Sequence, residues 1–502
     1  MASNETIPLS SQGADQTATA SPLSTWAENY TISLETLQDR RAPFPTLQSF
    51  SAGMTRSGEW VLIGGRTNGL HNFTNKGIEN FPPAHQNDRI WVYDPVRDRS
   101  WSRPLSKSGL SSAKQLSLST TNAEQLQQGD VLFRVGGYVY DEASKSFQTR
   151  NRLSAIDLGN LASWAKGKRK QLLPNSVLSV AGEAIQVDGE ATHLFAVTGG
   201  ELLAGRRDGQ AQLIFGQDFK GGYTQGTNGL YTSQVRNFNI QYQPKQGELS
   251  YSLNRVTESN PSFYRRRDLN VMTQLHRTAK GKLVQEGAAL AGVFYNGEGV
   301  WTVPVKIDLL TGQPIMPNPE NPATFRQGFN QYTAANLGLY SRSEDSQTNL
   351  IFGGISALIL DPSGEPYYVN PDNDPNQGFS YPFTSQIAAL SRTADGEWTQ
   401  SIPGSFPNIS NDKGQPLSFG ASSTFIPLSK GQNGRVRYLA DGILDLDRLQ
   451  SKSQPGEPVL VGYVVGGIES QVYSDFNDLS TYGNTNYTVA SGEIFQVLIT
   501  PN

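Results

Sequence analysis

Four histidines are the residues of this chain best suited to acid–base chemistry or metal binding, and their spacing favours neither. His71 and His85 fall in one polar segment, whereas His193 and His276 lie far along the chain. No pair has the HxxxH spacing that places two imidazoles on one helix face. A His71/His85 pair could bind a metal ion, but two histidines in a polar loop are more commonly surface residues. We therefore predict no metal site and no catalytic histidine.

Other arrangements that could support chemistry also fail in detail. The segment NPDNDPNQG (370–378) resembles a calcium loop through Asp372, Asp374 and Asn376. Counted from Asp372, however, the sixth position is Gln377 where an EF-hand needs Gly, and the twelfth is Phe383 where it needs Glu. An acidic turn is the better interpretation. Cysteine is absent, which excludes disulfides, thiol catalysis and Cys-ligated zinc. We expect no cofactor and no enzymatic activity.

The charge balance argues against nucleic acid and membrane partners. The formal net charge is −4 over 502 residues, so no basic face is implied. The basic runs KGKRK (166–170) and RRR (265–267) are predicted to be solvated surface. No apolar stretch approaches the ~20 residues of a membrane helix. The polar N-terminus does not resemble a classical signal peptide, while the low Lys content and the richness in Asn, Gln, Thr and Tyr favour a surface-exposed or extracellular setting.

Apolar runs that end in glycine recur along the chain and must position whatever binding residues exist. Four runs end in a glycine pair, at Gly64-Gly65, Gly136-Gly137, Gly353-Gly354 and Gly466-Gly467. Weaker copies are QLIFGQ (212–217), AALAGVF (288–294) and HLFAVTGG (193–200). Short runs rich in Val, Ile and Leu predict strands buried on both faces. The glycines would let the backbone adopt a positive φ or approach a neighbouring element closely.

A second strand-like run follows each of these units after a loop of variable length. The second runs are RIWVYDP (89–95), RLSAIDL (152–158), QVRNFNI (234–240), VWTVPVKIDLLTG (300–312), QIAALSRTADGEW (386–398) and EIFQVLIT (493–500). Apolar and polar residues alternate in them before a turn signal. The pieces predict a four-stranded meander of about 50 to 80 residues, repeated at the scale of a closed repeat fold. It is used six times, or seven if HLFAVTGG begins its own unit.

These motifs resemble the kelch-type β-propeller family. Besides the glycine pairs, the resemblance rests on Tyr93-Asp94 with Trp101 and on Ile156-Asp157 with Trp164. It implies an all-β, six-bladed or seven-bladed propeller over nearly all of residues 30–502. The repeats are longer than the ~50 residues of a kelch unit, and two units have a degraded glycine pair. Two β-sandwiches are the alternative fold.

A propeller must join its first and last sheets, because open sheet edges are a liability. The run EIFQVLIT (493–500) suits the third strand of the last sheet, and no fourth strand follows it. We expect NYTISLETL (29–37) to return there as the outer strand. Residues 28–502 would then form the propeller domain and residues 1–27 an extended arm. The arm is too polar to fold alone and would order on a protein partner or in self-assembly.

The long loops between second and third strands should emerge on one face, because strands in a meander alternate direction. They are rich in Tyr, Phe, Asn and Gly, a mixture that suits an adaptable binding surface. They could instead pack over one another and only cap the disc. The predicted partner-binding residues are His71, Phe81, Tyr223, Tyr231, Tyr367, Tyr368, Tyr381, Tyr473 and Tyr482.

Two functions follow as hypotheses. The first is a non-enzymatic structural or protein-interaction module, tethered by its arm into a larger surface-exposed assembly such as a filament, surface layer or virion. The second is a carbohydrate-binding or carbohydrate-active propeller, such as an adhesin, lyase or epimerase. Its motive is a set of residues expected near the mouth, namely Arg66, His71, Tyr223, Tyr231, Tyr367 and Tyr381. A charged cluster on the ring axis would favour the second hypothesis.

Overall fold

The computed structural model describes residues 21–25, 29–71, 77–223, 229–295, 299–329, 331–356, 358–360, 365–368, 383–429, 431–439, 442–471 and 488–502. Within these ranges the protein is all-β with short helices, as the sequence predicts. The helices are α1 (Ser112–Leu118), α2 (Leu158–Ala165), α3 (Pro261–Tyr264) and α4 (Leu446–Lys452).

Six sheets, each built on a four-stranded antiparallel meander, make up most of the described structure. The first strand of the described residues is β1 (Tyr30–Thr36). Sheet 1 contains β2 (Ser51–Met54), β3 (Trp60–Ile63), β4 (Arg89–Asp94) and β5 (Arg99–Pro104). Sheet 2 contains β6 (Glu124–Gln128), β7 (Val131–Val135), β10 (Leu153–Asp157) and β11 (Val177–Val180). Sheet 3 contains β14 (Glu201–Ala204), β15 (Gln210–Ile214), β18 (Val235–Gln243) and β19 (Glu248–Val256).

The remaining three sheets repeat this order of strands. Sheet 4 contains β20 (Asn270–Arg277), β21 (Leu283–Leu290), β24 (Val305–Ile307) and β25 (Pro314–Ile315). Sheet 5 contains β26 (Asn336–Ser341), β27 (Ser346–Ile355), β30 (Phe383–Arg392), β31 (Trp398–Ser405) and, parallel to β26, β34 (Leu444–Asp445). Sheet 6 contains β33 (Thr424–Pro427), β35 (Val459–Val465), β38 (Ile494–Pro501) and β1.

Short strand pairs occupy the connections between second and third strands. They are β8 (Tyr138–Asp141) with β9 (Ser146–Thr149), β16 (Gln217–Asp218) with β17 (Leu230–Tyr231), β22 (Val293–Tyr295) with β23 (Gly299–Val300), β28 (Leu358–Leu360) with β29 (Pro366–Tyr368), and β36 (Ile468–Ser470) with β37 (Thr488–Ala490). Two further elements lie elsewhere: the hairpin β12 (Ala184–Val187) with β13 (Glu190–His193), and β32 (Ser418–Ala421), which pairs with β36. The long loops therefore have their own local structure.

The apolar runs are buried on both faces because each sheet packs between two others. In β7, Leu132 belongs to an apolar cluster with sheet 1, and the next residue, Phe133, belongs to one with sheet 3. In β14, Leu202 faces sheet 2 and Leu203 faces sheet 4. Alternate residues of a strand point to opposite faces. A run without polar interruptions is therefore what these positions require.

Two consecutive residues with positive φ lie at or near the end of the second strand in each of the six sheets. The glycine pairs have this conformation at Gly64-Gly65, Gly136-Gly137, Gly353-Gly354 and Gly466-Gly467. The two degraded pairs keep it: Phe215 has φ 54° before Gly216, and Ala291 has φ 59° before Gly292. Such angles are unfavourable for residues with a Cβ. The six units thus share one backbone geometry even where the sequence signal is lost.

Three of the glycine pairs join one sheet to the next through backbone hydrogen bonds, from Gly65, Gly137 and Gly467. The N–H of Gly65 donates to the carbonyl of Thr120 at 3.0 Å, and that of Gly137 donates to Val197 at 2.8 Å. A Cβ added to Gly136 would overlap the same carbonyl oxygen of Val197. Close approach of two backbones is the situation in which only glycine fits.

A closed cycle of backbone hydrogen bonds links one residue ahead of the first strand of each sheet. Every member donates its N–H to the carbonyl of the preceding member. The six links are Asn122 to Ser49 (3.1 Å), Gly199 to Asn122 (3.4 Å), Asp268 to Gly199 (2.8 Å), Thr333 to Asp268 (3.3 Å), Ser422 to Thr333 (2.7 Å) and Ser49 to Ser422 (3.3 Å). We call this set the backbone ring. It brings the starts of the six sheets to one place.

The first and last sheets are joined as the sequence predicts. Strand β1 pairs antiparallel with β38, with Ile32 opposite Ile499, and so completes sheet 6. The first strands of neighbouring sheets also contact each other in a cycle, from β2 through β6, β14, β20, β26 and β33 back to β2. The run HLFAVTGG (193–200) does not begin a further sheet: beyond His193 it forms turns and bridges, and Gly199 belongs to the backbone ring.

Residues 21–25 are the described part of the expected arm, and they lie against sheet 5. Ser21 donates its N–H to the carbonyl of Arg326 at 2.8 Å, and Ser24 donates to the carbonyl of Gln400 at 2.7 Å. Leu23 packs against Phe329 and Ala388. The remainder of the predicted arm lies outside the described residues.

Candidate binding face

The long loops rise directly from the backbone ring. Gln48, which precedes Ser49, exchanges backbone hydrogen bonds with Arg66 at 2.9 and 3.0 Å. Thr121, which precedes Asn122, makes the same pair of bonds with Tyr138. Arg66 and Tyr138 are the first residues of the loops that follow the glycine pairs. The loops of these sheets therefore share a rigid base around the ring, and their side chains can be described together.

Aromatic residues from the loops of sheets 1, 2 and 3 form one cluster, which we call the loop cluster. Its members are His71, Phe81, Tyr138, Tyr140, Phe147, Phe219 and Tyr223. The ring of His71 lies 5.2 Å from that of Phe81 and 4.5 Å from that of Tyr223, measured between centroids. Phe81 meets Tyr138 edge to face at 5.7 Å. Such pairs add to the stabilisation from apolar burial.

Hydrogen bonds fix the loop cluster in place. The hydroxyl of Tyr138 donates to the carbonyl of Gly221 at 2.6 Å, and Asn80 donates from its amide to the carbonyl of Tyr223 at 3.1 Å. Arg66 lies over the ring of Phe81 at 4.9 Å. Burial raises the pKa of Tyr138, so its hydroxyl stays protonated and remains a donor. The cluster is thus a preformed surface rather than a set of independent side chains.

A charged group lies at the backbone ring itself. Arg267 forms an ion pair with Asp268, and its Nε donates to the hydroxyl of Tyr231 at 2.8 Å. The guanidinium carbon of Arg265 lies 3.8 Å from the centroid of the Tyr231 ring. Across the ring, Asn122 donates from its amide to Asp268 at 3.3 Å. These five residues, the mouth cluster, place charge, hydrogen-bonding groups and an aromatic ring at the centre of the loop face.

The prediction that RRR (265–267) is solvated surface is wrong. Arg266 is fully buried, donates to the carbonyls of Ala291 and Val303 at 3.2 and 2.8 Å, and stacks on Trp301. Burial lowers the pKa of Arg266, but a guanidinium stays charged in proteins. A buried arginine that satisfies carbonyls fastens the connection between two sheets. In KGKRK (166–170), residues 167–170 are exposed as expected, whereas Lys166 reaches Glu59.

Two carboxylates begin adjacent first strands below the ring. Glu124 starts β6 and accepts the N–H of Gly200 at 2.9 Å through Oε1, while its Oε2 is buried without a hydrogen bond. Glu201 starts β14 and accepts the N–H of Leu202 at 3.2 Å. Burial raises the pKa of Glu124 well above its usual value and that of Glu201 to about 8. Glu201 is therefore mostly protonated at neutral pH.

The sequence-predicted binding residues divide into three groups. His71, Phe81 and Tyr223 meet in the loop cluster, where all three are half-buried, and Tyr231 lies in the mouth cluster, where it is 6% exposed. Tyr367 and Tyr368 belong to β29, in the connection between the second and third strands of sheet 5. Tyr381, Tyr473 and Tyr482 lie outside the described residues. The predicted glycines all take the expected positive φ.

Several residues of this face were missed by the sequence analysis. Tyr138, Tyr140 and Phe147 lie in one of the long loops predicted to form the binding face, but they were not among the predicted binding residues, although they form the middle of the loop cluster. Arg267 was predicted to be solvated surface, and Asp268 was not singled out. The alternation YVYDEASKSFQT around a turn is a hairpin signal that could have identified the first three. No local sequence pattern predicts the hydrogen bond between Arg267 and Tyr231.

The structure also shows where His71 and His85 lie and how long and apolar the described helices are. His85 places Nδ1 3.1 Å from the hydroxyl of Thr67, whereas His71 stacks in the loop cluster. Among the described residues, no three His, Asp or Glu side chains are grouped so as to hold a metal ion. None of the helices in the described ranges combines the length and apolar character needed to cross a bilayer.

Comparisons with known proteins include a weak likeness to a solved structure. A scan against protein-family models gives no match, and a search of curated proteins gives none either. Among solved structures, the chain is similar to YjhT, with a TM-score of 0.42 and 10% sequence identity over 93% of this chain and 100% of that one. We therefore base the functional assignment on the residues described above.

Proposed function

We propose that the protein is a six-bladed, kelch-like β-propeller that acts as a non-enzymatic binding module. Each of the six sheets would be one blade, and the backbone ring would surround the axis. The closed cycle of contacts between first strands and the β1–β38 pairing support this architecture. A propeller closed in this way hides its sheet edges and presents its loops on a rigid disc.

The loop face is the proposed contact surface for a protein partner. The observation that carries this proposal is the loop cluster, in which loops from three successive sheets share one aromatic centre. Aromatic residues held in a fixed geometry lose little entropy on binding, and they are enriched among residues that dominate interfaces. The half-buried Tyr140 and Tyr223 combine an apolar ring with a polar tip, which suits a partner of mixed character.

The arm would attach this disc to a larger surface-exposed assembly. In support, Ser21–Ser24 already make edge-type backbone hydrogen bonds to the body of the protein. Segments that add to a sheet edge in this way are a common means of linking chains.

Native sedimentation of tagged protein in extracts of its source tests the proposal. We expect the wild type to sediment as a large particle. Tyr223→Ala should weaken incorporation by roughly 10- to 30-fold, the cost of losing an aromatic interface anchor. Tyr242→Ala is the matched control, since Tyr242 is also half-buried but lies on β18, outside the loop cluster. Sedimentation of the wild type as a 54.8-kDa monomer would contradict the proposal.

Carbohydrate binding is the second candidate, and the mouth cluster is the observation in its favour. Charged groups and the hydroxyl of Tyr231 meet at the backbone ring, an arrangement that concentrates hydrogen-bonding groups, among them a guanidinium that can donate bidentate hydrogen bonds. A glycan panel probed with the wild type and with Arg267→Ala separates the candidates. Binding that Arg267→Ala removes would favour this function, whereas a panel without binding or turnover would eliminate it.

A further inference from the structure

The outer edge of sheet 5 carries a groove with a defined set of recognition groups. On the polar side are the backbone N–H and carbonyl of Arg326, and the carbonyl and side-chain amide of Gln400. On the apolar side are Phe329 and Ala388, both buried, with Ile402 beside them. Backbone groups next to an apolar pocket are the features by which a sheet edge recognises an extended peptide. The groove therefore has the chemistry of a peptide-docking site.

Residues 21–25 match this groove along their length. Ser21 uses three groups: its N–H donates to Arg326 O at 2.8 Å, its Oγ accepts from Arg326 N at 3.0 Å, and its carbonyl accepts from the Gln400 amide. Ser24 donates to Gln400 O at 2.7 Å. Between them Leu23 enters the apolar pocket. The recognised sequence is thus an extended Ser-x-Leu-Ser.

The contact is small and lies next to a short connection. Leu23 stays half-buried, and Pro22, Ser24 and Thr25 are exposed, so the area covered is far below that of a stable interface. Only residues 26–28 separate Thr25 from Asn29, and the adjacent β1 contacts β31. The residues that contact the groove, Ser21, Leu23 and Ser24, all precede this connection in the sequence. The groove therefore accepts the same four residues from its own chain or from a neighbour.

We propose that this groove binds Ser21–Thr25 of a second copy, so that copies of the protein link through exchanged arms. Exchange keeps every contact of the docked arm, which makes it a low-cost route to association, and short hinge segments promote it. This inference rests on the proposed function, because it names the partner to which the arm attaches the disc.

The absence of cysteine allows a direct test in the purified full-length chain. Ser24→Cys and Thr399→Cys each introduce one thiol at an exposed position beside the Ser24–Gln400 contact. The two single variants, carrying tags of different mass, are mixed at increasing concentration and treated with a short bis-maleimide linker. If the arms exchange, the yield of mixed dimer should be at least ~10-fold higher than that of Ser24→Cys with Ala143→Cys, because docking raises the local concentration of the two thiols. Ala143 is an exposed residue in the β8–β9 turn.

Two further variants make every outcome informative. Leu23→Asp in the Ser24→Cys chain should abolish the mixed dimer, whereas Leu283→Asp, at an exposed leucine, should not. The double variant Ser24→Cys/Thr399→Cys reports docking within one chain. Linkage within one chain without any mixed dimer would overturn exchange, and so would no linkage at all. Either result leaves the proposed function standing if the wild type still sediments as a large particle in its source.

Discussion

The N–H of Ser49 donates to the carbonyl of Ser422 at 3.3 Å and so connects sheet 1 with sheet 6. The other five links of the backbone ring join consecutive sheets, whereas this bond joins the first sheet to the last. Each ring residue both donates and accepts one hydrogen bond, so the cycle leaves none of these backbone groups unpaired at the axis. The starts of all six sheets are thereby fixed relative to one another.

Gly136→Ala should destabilise the protein by about 3 kcal/mol or more, because a positive φ and a backbone overlap add together. Its φ is 63°, and a Cβ there would overlap the carbonyl of Val197 in the next sheet. Gly129→Ala is the control, since its φ is 59° but nothing lies within 4 Å of the added Cβ. Denaturant unfolding measures both. Equal losses would mean that the contact between sheets contributes nothing.

Ala291→Gly should stabilise the protein by about 0.5–1 kcal/mol, because glycine removes the strain of a positive φ. Ala291 has φ 59° at a position where four other sheets have glycine. Ala289→Gly, two residues earlier within β21, should instead destabilise, since glycine weakens a regular strand. The free energies of unfolding decide the matter, and a loss of stability in Ala291→Gly would refute the shared geometry.

Ile32→Ala should cost about 2–4 kcal/mol, the usual range for emptying a buried site. Ile32 is 6% exposed on the closing strand and sits opposite Ile499. Thr31→Ala, on the exposed face of the same strand, should change stability by less than about 0.5 kcal/mol. Thermal and denaturant unfolding provide the comparison. Similar small effects in both variants would indicate that β1 is not needed for the folded state.

The pH dependence of stability should respond to Glu201→Gln. Burial raises the pKa of Glu201 from 4.5 to about 8. Between these values the folded protein keeps a proton that the unfolded chain has released, so the free energy of unfolding falls as pH rises and levels off above pH 8. The variant should show a shallower fall and exceed the wild type at pH 9. Unfolding curves from pH 5 to 9 test this, and unchanged slopes would rule it out.

Glu286→Gln should cost about 1–3 kcal/mol, because it removes a buried carboxylate that accepts a hydrogen bond from Arg392. The second partner, Lys306, is half exposed and adds less. Glu286 is 2% exposed and contacts Lys306 from its own sheet and Arg392 from sheet 5, with His276 Nδ1 at 3.9 Å. Glu142→Gln, at an exposed carboxylate in the β8–β9 turn, is the control. If the two variants unfold at the same denaturant concentration, the charge cluster does not hold sheets 4 and 5 together.

Much of the fold could be predicted because the residue pattern of each strand indicates which of its faces are buried. Apolar runs such as Trp60–Ile63 require burial on both sides, and the alternating pattern of Tyr30–Thr36 fits an outer strand. The units at Phe215 and Ala291 were identified only as weaker copies, because a residue with a side chain replaces the first glycine of the pair. There the backbone keeps a positive φ, and surrounding contacts rather than residue type enforce it. Conversely, HLFAVTGG (193–200) resembled a unit because it contains a glycine pair, although Gly199 belongs to the backbone ring and does not follow a second strand.

The candidate site was less accessible from sequence. Aromatic loop residues such as His71, Phe81 and Tyr223 were identified by composition, but their mutual contacts depend on how three loops meet. Arg267 belongs to the run RRR (265–267), which was predicted to be surface charge, and its contact with Tyr231 depends on the three-dimensional arrangement of the loops. Asn122 and Asp268 are residue types that tolerate a positive φ, a signal that could have marked two ring positions. Ser49 and Ser422 give no such sign.

The pairing of β1 with β38 also sets an order of events during biosynthesis. The ribosome makes β1 before every other described strand and β38 after every other one. The edge of β1 therefore has no partner while the sheets between are formed, and contacts between such distant segments form slowly. Completion of sheet 6 must follow the synthesis of β38. A nascent chain arrested before Ile494 should accordingly expose a β-strand that chaperones, or another nascent chain, can bind.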